Sequence, residues 1–215
     1  GFEVIIVDNL SNSSDKVLDG IEKITGIRPV FEQFDLTEKD KVEAFFVKYP
    51  KIEAIIHFAA SKAVGESVEK PLMYYRNNLV SLINLLECQI KYGVSNIVFS
   101  SSCTVYGQPD KLPVTEQTPR KDAESPYGNT KRVNEDILRD TVSAYPQIKG
   151  IALRYFNPVG AHPSAIIGEL PLGVPANLVP FITQTAAGLR TELKVFGDDY
   201  RSEEHTSELQ SHLNL

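Results

Sequence analysis

The sequence lacks several features that would each have settled its class. No G-x-x-G-x-x-G or G-x-G-x-x-G run occurs anywhere, so no glycine-rich turn is present to cradle a pyrophosphate. Its two cysteines, Cys88 and Cys103, lie far apart. That fits a reducing, cytoplasmic setting better than a disulfide framework. No apolar run approaches the roughly 20 residues of a membrane-spanning helix. Basic runs are missing too: 22 Lys and Arg stand against 28 Asp and Glu, a net charge of −6. Neither nucleic acid nor a membrane is therefore expected as a partner. The histidines His57, His162, His205 and His212 show no metal-ligand spacing, so no metal is expected. What remains, at 215 residues and 42% apolar, is a soluble globular protein of one domain or one and a fraction.

Short apolar runs alternate with helical patterns. Strands are predicted at Val4–Val7, Val30–Asp35, Ala54–Ala60, Asn96–Ser102 and Gly150–Phe156. Continuous Ile- and Val-rich runs of this length suit a parallel sheet covered on both faces. Between them, Leu79, Leu82, Ile83, Leu86 and Ile90 recur at helical steps, with Gly93 as the stop. Another helix opens at "SPYGNTK", with Ser125 as N-cap and Pro126 in the first turn, and runs to about Tyr145 before Pro146. The expected fold class is α/β, a doubly wound parallel sheet, which places ligands beyond the carboxyl ends of the strands.

Each strand end carries something. Asp8 closes the first strand; it is either a ribose-binding carboxylate, which would favour NAD over NADP, or an ordinary turn aspartate. Asp35 closes the second. "HFAAS" keeps side chains small after the third, and "SSSCTVYG" follows the fourth. Three hydroxyls in a row need partners if buried. "YGNTK" sets Tyr127 and Lys131 four apart on one helix face. A nearby ammonium, with a positive nicotinamide, is expected to lower the phenol's pKa and make the tyrosine a base. "YPQIK" repeats the spacing at Tyr145 and Lys149. That copy precedes a strand and therefore lies at the wrong end of the sheet, so it is read as structural. "RYFNPVGAHPS" after the fifth strand offers Asn157 to a polyhydroxy ligand.

Together, "VDNLSNS", "IIHFAASKAVGESVEKPLMYY", "NNL", "SSSCTVYG", "SPYGNTK", "LRYFNPVGAHPS" and "VPANLVP" resemble the extended short-chain dehydrogenase/reductases of the NAD-dependent epimerase/dehydratase family. The resemblance implies a Rossmann-type domain, NAD as cofactor and a UDP-sugar as substrate. The implied reaction interconverts UDP-glucose and UDP-galactose, in galactose metabolism, by transient oxidation at sugar C4. It implies that Asp8 and Asn9 hold the adenosine ribose, that Asp35 and Leu36 line the adenine site, and that Phe58, Ala59, Ala60, Ser61, Lys62 and Asn77 lie along NAD. Ser102 would bond the reacting hydroxyl, Tyr127 would be the base, Lys131 would bind the nicotinamide ribose, and Phe156 would pack at the nicotinamide. Asn157, Asn177, Leu178, Lys194, Val195 and Phe196 would contact the UDP-sugar. A homodimer through helices near Leu79–Tyr92 and Tyr127–Tyr145 is also implied. Alternatives are an epimerase of UDP-N-acetylhexosamine or UDP-glucuronate, or a non-catalytic NAD-binding relative. A dehydratase would need an Asp-Glu pair where Cys103 and Thr104 stand.

Both ends depart from the family pattern. The first βα unit with its glycine turn is missing before Gly1, and "RSEEHTSELQS" after Tyr200 resembles a translated sequencing-adapter oligonucleotide. The expected organisation is therefore a partial NAD-binding domain over 1–165, the beginning of a UDP-sugar-binding domain over 166–200, and a non-native tail over 201–215. The chain alone is expected to bind NAD poorly and not to epimerise.

Overall fold

The computed structural model describes residues 1–169, 171, 174–175 and 177–194; the expected tail lies outside them. The chain divides into two compact units, Gly1–Gln33 with Asn157–Leu215, and Phe34–Phe156. The expected boundary at 165–166 falls inside the first.

In the first unit, β1 (Ile5–Asp8), α1 (Lys16–Thr25) and β2 (Val30–Gln33) form a β-α-β unit. The strands pair in parallel, Ile5 opposite Val30 and Asp8 opposite Gln33. Arg28 returns after α1 to hydrogen-bond Asp19 at 2.6 Å and Glu22 at 3.0 Å. A side chain at Gly20 would meet Ile167, so glycine there lets the later segment lie against α1. A further helix, Leu178–Ala186, follows Asn177.

The second unit contains α2 (Lys39–Lys48), β3 (Ala54–His57), α3 (Val64–Glu69), α4 (Pro71–Tyr92), β4 (Asn96–Ser102), a 3-10 turn (Cys103–Tyr106), α5 (Pro126–Ala144) and β5 (Lys149–Tyr155). Its three strands are parallel, in the order β3-β4-β5. Two sequence signals hold as read. Gly93 ends α4 in the left-handed conformation, φ 73°. Ser125 caps α5, its hydroxyl accepting the Gly128 N–H at 3.1 Å.

Two expectations need correction. Several strands are shifted or shorter than predicted: β1 takes in Asp8, β2 stops at Gln33, β3 stops at His57 and β5 starts at Lys149. Secondly, the strands pair as two parallel sheets and not as one continuous sheet. Leu82 and Leu86 of α4 and Leu138 of α5 pack on Ile97 and Phe99 of β4. Val42 and Phe46 of α2 pack with Leu85 and Cys88 of α4 against Ile55. The opposite face, reached by the alternate residues, leaves Ile56 65% and Ile151 58% exposed.

Candidate active site

The site grows from the carboxyl end of β4, where three serines find three different partners. The Ser100 carbonyl accepts Lys131 Nζ at 2.7 Å. The Ser101 hydroxyl donates to Glu135 Oε1 at 2.6 Å. Ser102 Oγ accepts the Thr104 N–H at 3.3 Å, opening the 3-10 turn, and lies beside the Tyr127 side chain, whose ionisation it influences. The strand pleat sends Ser101 and its neighbours to opposite faces, and α5 supplies all three side-chain partners because Tyr127, Lys131 and Glu135 recur every four residues along it.

Lys131 is 3% exposed. Burial pulls its ammonium down to about 8. The Nζ lies 5.1 Å from the Phe99 ring centroid and 5.9 Å from that of Tyr127. His57, at the end of β3, stacks on Phe99 at 6.0 Å. Burial, with the nearby Lys131 charge, pulls its imidazole down to about 3, so it is neutral at physiological pH.

Tyr127 departs from expectation. Its pKa is raised, not lowered: burial pushes the phenol up, and the Ser102 side chain opposes that. The ammonium stands over the ring face, tied to the Ser100 carbonyl, and does not offset the loss of water around the hydroxyl.

Behind Ser101, Glu135 receives Arg154 through Nε at 2.9 Å and Nη2 at 2.8 Å, a two-pronged pair. Arg120 Nη1 approaches the same carboxylate at 3.4 Å. Burial pushes Glu135 up, but hydrogen bonds from Arg154 and Ser101 outweigh it and hold the carboxyl below its usual range. Arg154 also covers the Tyr106 ring at 4.8 Å. This network clamps α5, β5 and the 3-10 turn together. Sequence reading passed over it, although a charged residue inside the apolar run "GIALRYF" was the available signal.

The loop after β3 is held from α4. Asn78 Oδ1 accepts the Ser61 N–H at 2.9 Å, and Asn78 Nδ2 donates to the Ser61 carbonyl at 3.0 Å. Asn77 Nδ2 reaches Ser61 Oγ at 3.3 Å. The loop holding Phe58, Ala59, Ala60, Ser61 and Lys62 is thereby joined to the element carrying Asn77. Phe58 is exposed, its ring 5.9 Å from that of Tyr155, and Phe156 is exposed as well.

The other candidates are engaged locally. Asp8 Oδ1 accepts the Leu10 N–H and Ser13 Oγ, both at 2.7 Å, as a turn aspartate does, while Leu10 takes φ 59°. Asn9 Oδ1 accepts the Ser11 N–H. Asp35 Oδ1 accepts Thr37 N at 2.8 Å and Oγ1 at 2.7 Å. The Leu36 carbonyl accepts Asn84 Nδ2 at 2.8 Å, and its side chain packs against the α2–α4 core. Asn177 Nδ2 donates to Glu169 Oε1 at 2.6 Å immediately before Leu178 opens its helix. Lys194 pairs with Glu192 at 3.4 Å; Asn157 is exposed. Val195 and Phe196 lie outside the described residues. Among the described residues no group of His, Cys, Asp and Glu could hold a metal ion, and no helix is long and apolar enough to cross a membrane.

The family model described as NAD dependent epimerase/dehydratase matches residues 1–204. The chain belongs to this family. Among its members, "UDP-glucose 4-epimerase 2" of Arabidopsis thaliana is 50% identical over 209 residues, 96% of this chain and 59% of the relative. The UDP-glucose 4-epimerase of Bacillus subtilis is 50% identical over 206 residues, 96% of this chain and 60% of the relative. The crystal structure of the Bifidobacterium longum UDP-glucose 4-epimerase with NAD+ and UDP superposes with a TM-score of 0.91 at 47% identity, over 96% of this chain and 61% of that one. The chain thus spans about three fifths of the curated relatives it matches, and its parallel α/β architecture is the Rossmann type of this family.

Proposed function

We propose that the protein expressed from its complete gene interconverts UDP-glucose and UDP-galactose with NAD as a resident cofactor. The observation that carries this reading is the meeting of Ser102, Tyr127 and Lys131 at the carboxyl end of β4, in a chain 50% identical to UDP-glucose 4-epimerases. The donor set fits the cofactor. The Lys131 ammonium has three N–H donors and gives one to Ser100, leaving two for ribose hydroxyls. Small side chains at Ala59 and Ala60 leave the loop backbone open to close approach.

Bound NAD supplies a reversible hydride acceptor for the sugar's C4. The chain's own residues govern the proton and the geometry. Ser102 orients the 4-hydroxyl, and Tyr127 takes its proton. Burial opposes the phenolate, so positive charge nearby must favour it; Lys131 contributes that charge below about pH 8. The neutral His57 leaves Lys131 without a competing cation. Roles for Asp8 and Asn9 at the adenosine ribose, for Asp35 and Leu36 at the adenine, for Phe58, Ala59, Ala60, Ser61, Lys62 and Asn77 along NAD, for Phe156 at the nicotinamide, and for Asn157, Asn177, Leu178, Lys194, Val195 and Phe196 at the UDP-sugar belong to the same proposal. So does a homodimer through α4 and α5, supported by the exposed Leu72 and Ile83 on α4.

A second reading widens the substrate. A Campylobacter jejuni UDP-Glc/GlcNAc 4-epimerase superposes with a TM-score of 0.76 at 33% identity, so N-acetylated UDP-sugars belong in the same assay. The test is conversion of UDP-galactose to UDP-glucose by the protein expressed from its complete gene, with its bound nicotinamide measured after denaturation. Nicotinamide-loaded protein that converts none of these sugars overturns the reading.

A further inference from the structure

We infer that Asn78 and Thr130 form a positioning device that sets Tyr127 against the loop after β3; this rests on the epimerase reading above. Asn78 is 1% exposed and Thr130 fully buried. The Asn78 amide clasps Ser61 at both its N–H and its carbonyl, 2.9 and 3.0 Å, as a neighbouring strand would. The same Nδ2 donates to Thr130 Oγ1 at 3.0 Å. Thr130 Oγ1 in turn donates to the Tyr127 carbonyl at 2.7 Å. A continuous chain of hydrogen bonds therefore runs from the loop backbone to the backbone of the proposed base. The Asn78 carbonyl, meanwhile, accepts Asn134 Nδ2 at 2.9 Å, three residues beyond Lys131 on the same helix.

The chemistry of the link is demanding. An amide supplies an acceptor and two donors from one planar group, whereas a carboxylate at the same place has no donor. Threonine's hydroxyl is needed to accept from Asn78 and donate to Tyr127 at once. Neither residue is placed at the substrate or cofactor: each acts through another. In the expected division of labour, Ser61 and its neighbours set the cofactor and Tyr127 meets the sugar. The Asn78–Thr130 link fixes the distance between these two jobs, and displacement of about 1 Å at a reacting centre costs up to about 100-fold in rate.

The test uses the protein expressed from its complete gene. Thr130→Val keeps shape and burial but removes the hydroxyl; Thr130→Ser restores it. Thr130→Val is expected to lower kcat about 10-fold with KM for UDP-galactose within about 2-fold, and Thr130→Ser to recover most of the loss. A Thr130→Val protein with unchanged kcat, or a kcat loss that Thr130→Ser does not recover, overturns the inference. If Thr130→Val does not fold, Asn78→Asp decides: it keeps the acceptor and loses both donors, and unchanged kcat there overturns the inference equally. Failure of the epimerase reading is separate, because it appears as absent conversion by the unsubstituted protein.

Discussion

The two Tyr-x-x-x-Lys pairs make the most instructive comparison in the molecule. Tyr127 and Lys131 sit one turn apart at the start of α5; Tyr145 and Lys149 have the same spacing across its end. The first lysine is buried under Phe99 and tied to a strand carbonyl. The second opens β5 beside Asn96, at the amino end of the sheet, and is exposed. Tyr127 lies beside Ser102, while Tyr145 closes the helix with its N–H on the Thr141 carbonyl and is 40% exposed. Spacing is shared, and environment is not. On the proposed function, what would turn a phenol and an amine into chemistry is the strand end they face.

That contrast can be broken in stages. Tyr127→Phe should cost about 1000-fold in kcat, and Tyr145→Phe less than about 2-fold; steady-state assays of the protein expressed from its complete gene check both. Lys131→Met should cost about 100-fold, and Lys149→Met nothing measurable. In the Lys131 variant the His57 pKa should rise from about 3, because the cation that helps hold it down is gone; imidazole NMR titration reads this directly.

The pH responses of turnover and stability should diverge at Lys131. Its ordinary value is 10.5, and burial sets it at about 8. Between those values the unfolded chain holds the extra proton, so this group's contribution to folding stability rises with pH across that window. Turnover should fall as pH passes about 8, since the charge beside Tyr127 is lost. Denaturant unfolding and kcat measured on either side of pH 8 check the two opposite signs. The smallest effect concerns how α5 begins. Ser125→Ala removes the cap on Gly128 and should destabilise the fold by about 1 kcal/mol, read as a shifted denaturation midpoint.

Local signals were legible in the sequence wherever one residue type has one physical job. Gly93 and Ser125 mark helix ends because few residues can adopt those conformations or make those bonds. The bounds of β4 were legible because all of its apolar residues are sheltered or paired. The phenol's raised pKa was not legible, since the gain from a neighbouring charge and the loss from burial have opposite signs and only coordinates weigh them. The Asn78–Thr130 link was hidden for another reason. It joins residues 52 positions apart, and an asparagine in an amphipathic helix carries no mark of what it will meet.

The serines at 100, 101 and 102 look interchangeable on paper, yet each holds a different partner on α5. Their duties are assigned by place alone. Replacing Ser101 or Ser102 would silence one duty, whereas the Ser100 duty rests on a main-chain carbonyl that any residue supplies. Losing or gaining a single codon upstream in the strand would hand every duty to the wrong neighbour and turn each side chain to the other face at once. In this stretch an insertion or deletion is a different class of injury from a substitution, and mutational scans should show tolerance for the second far exceeding tolerance for the first.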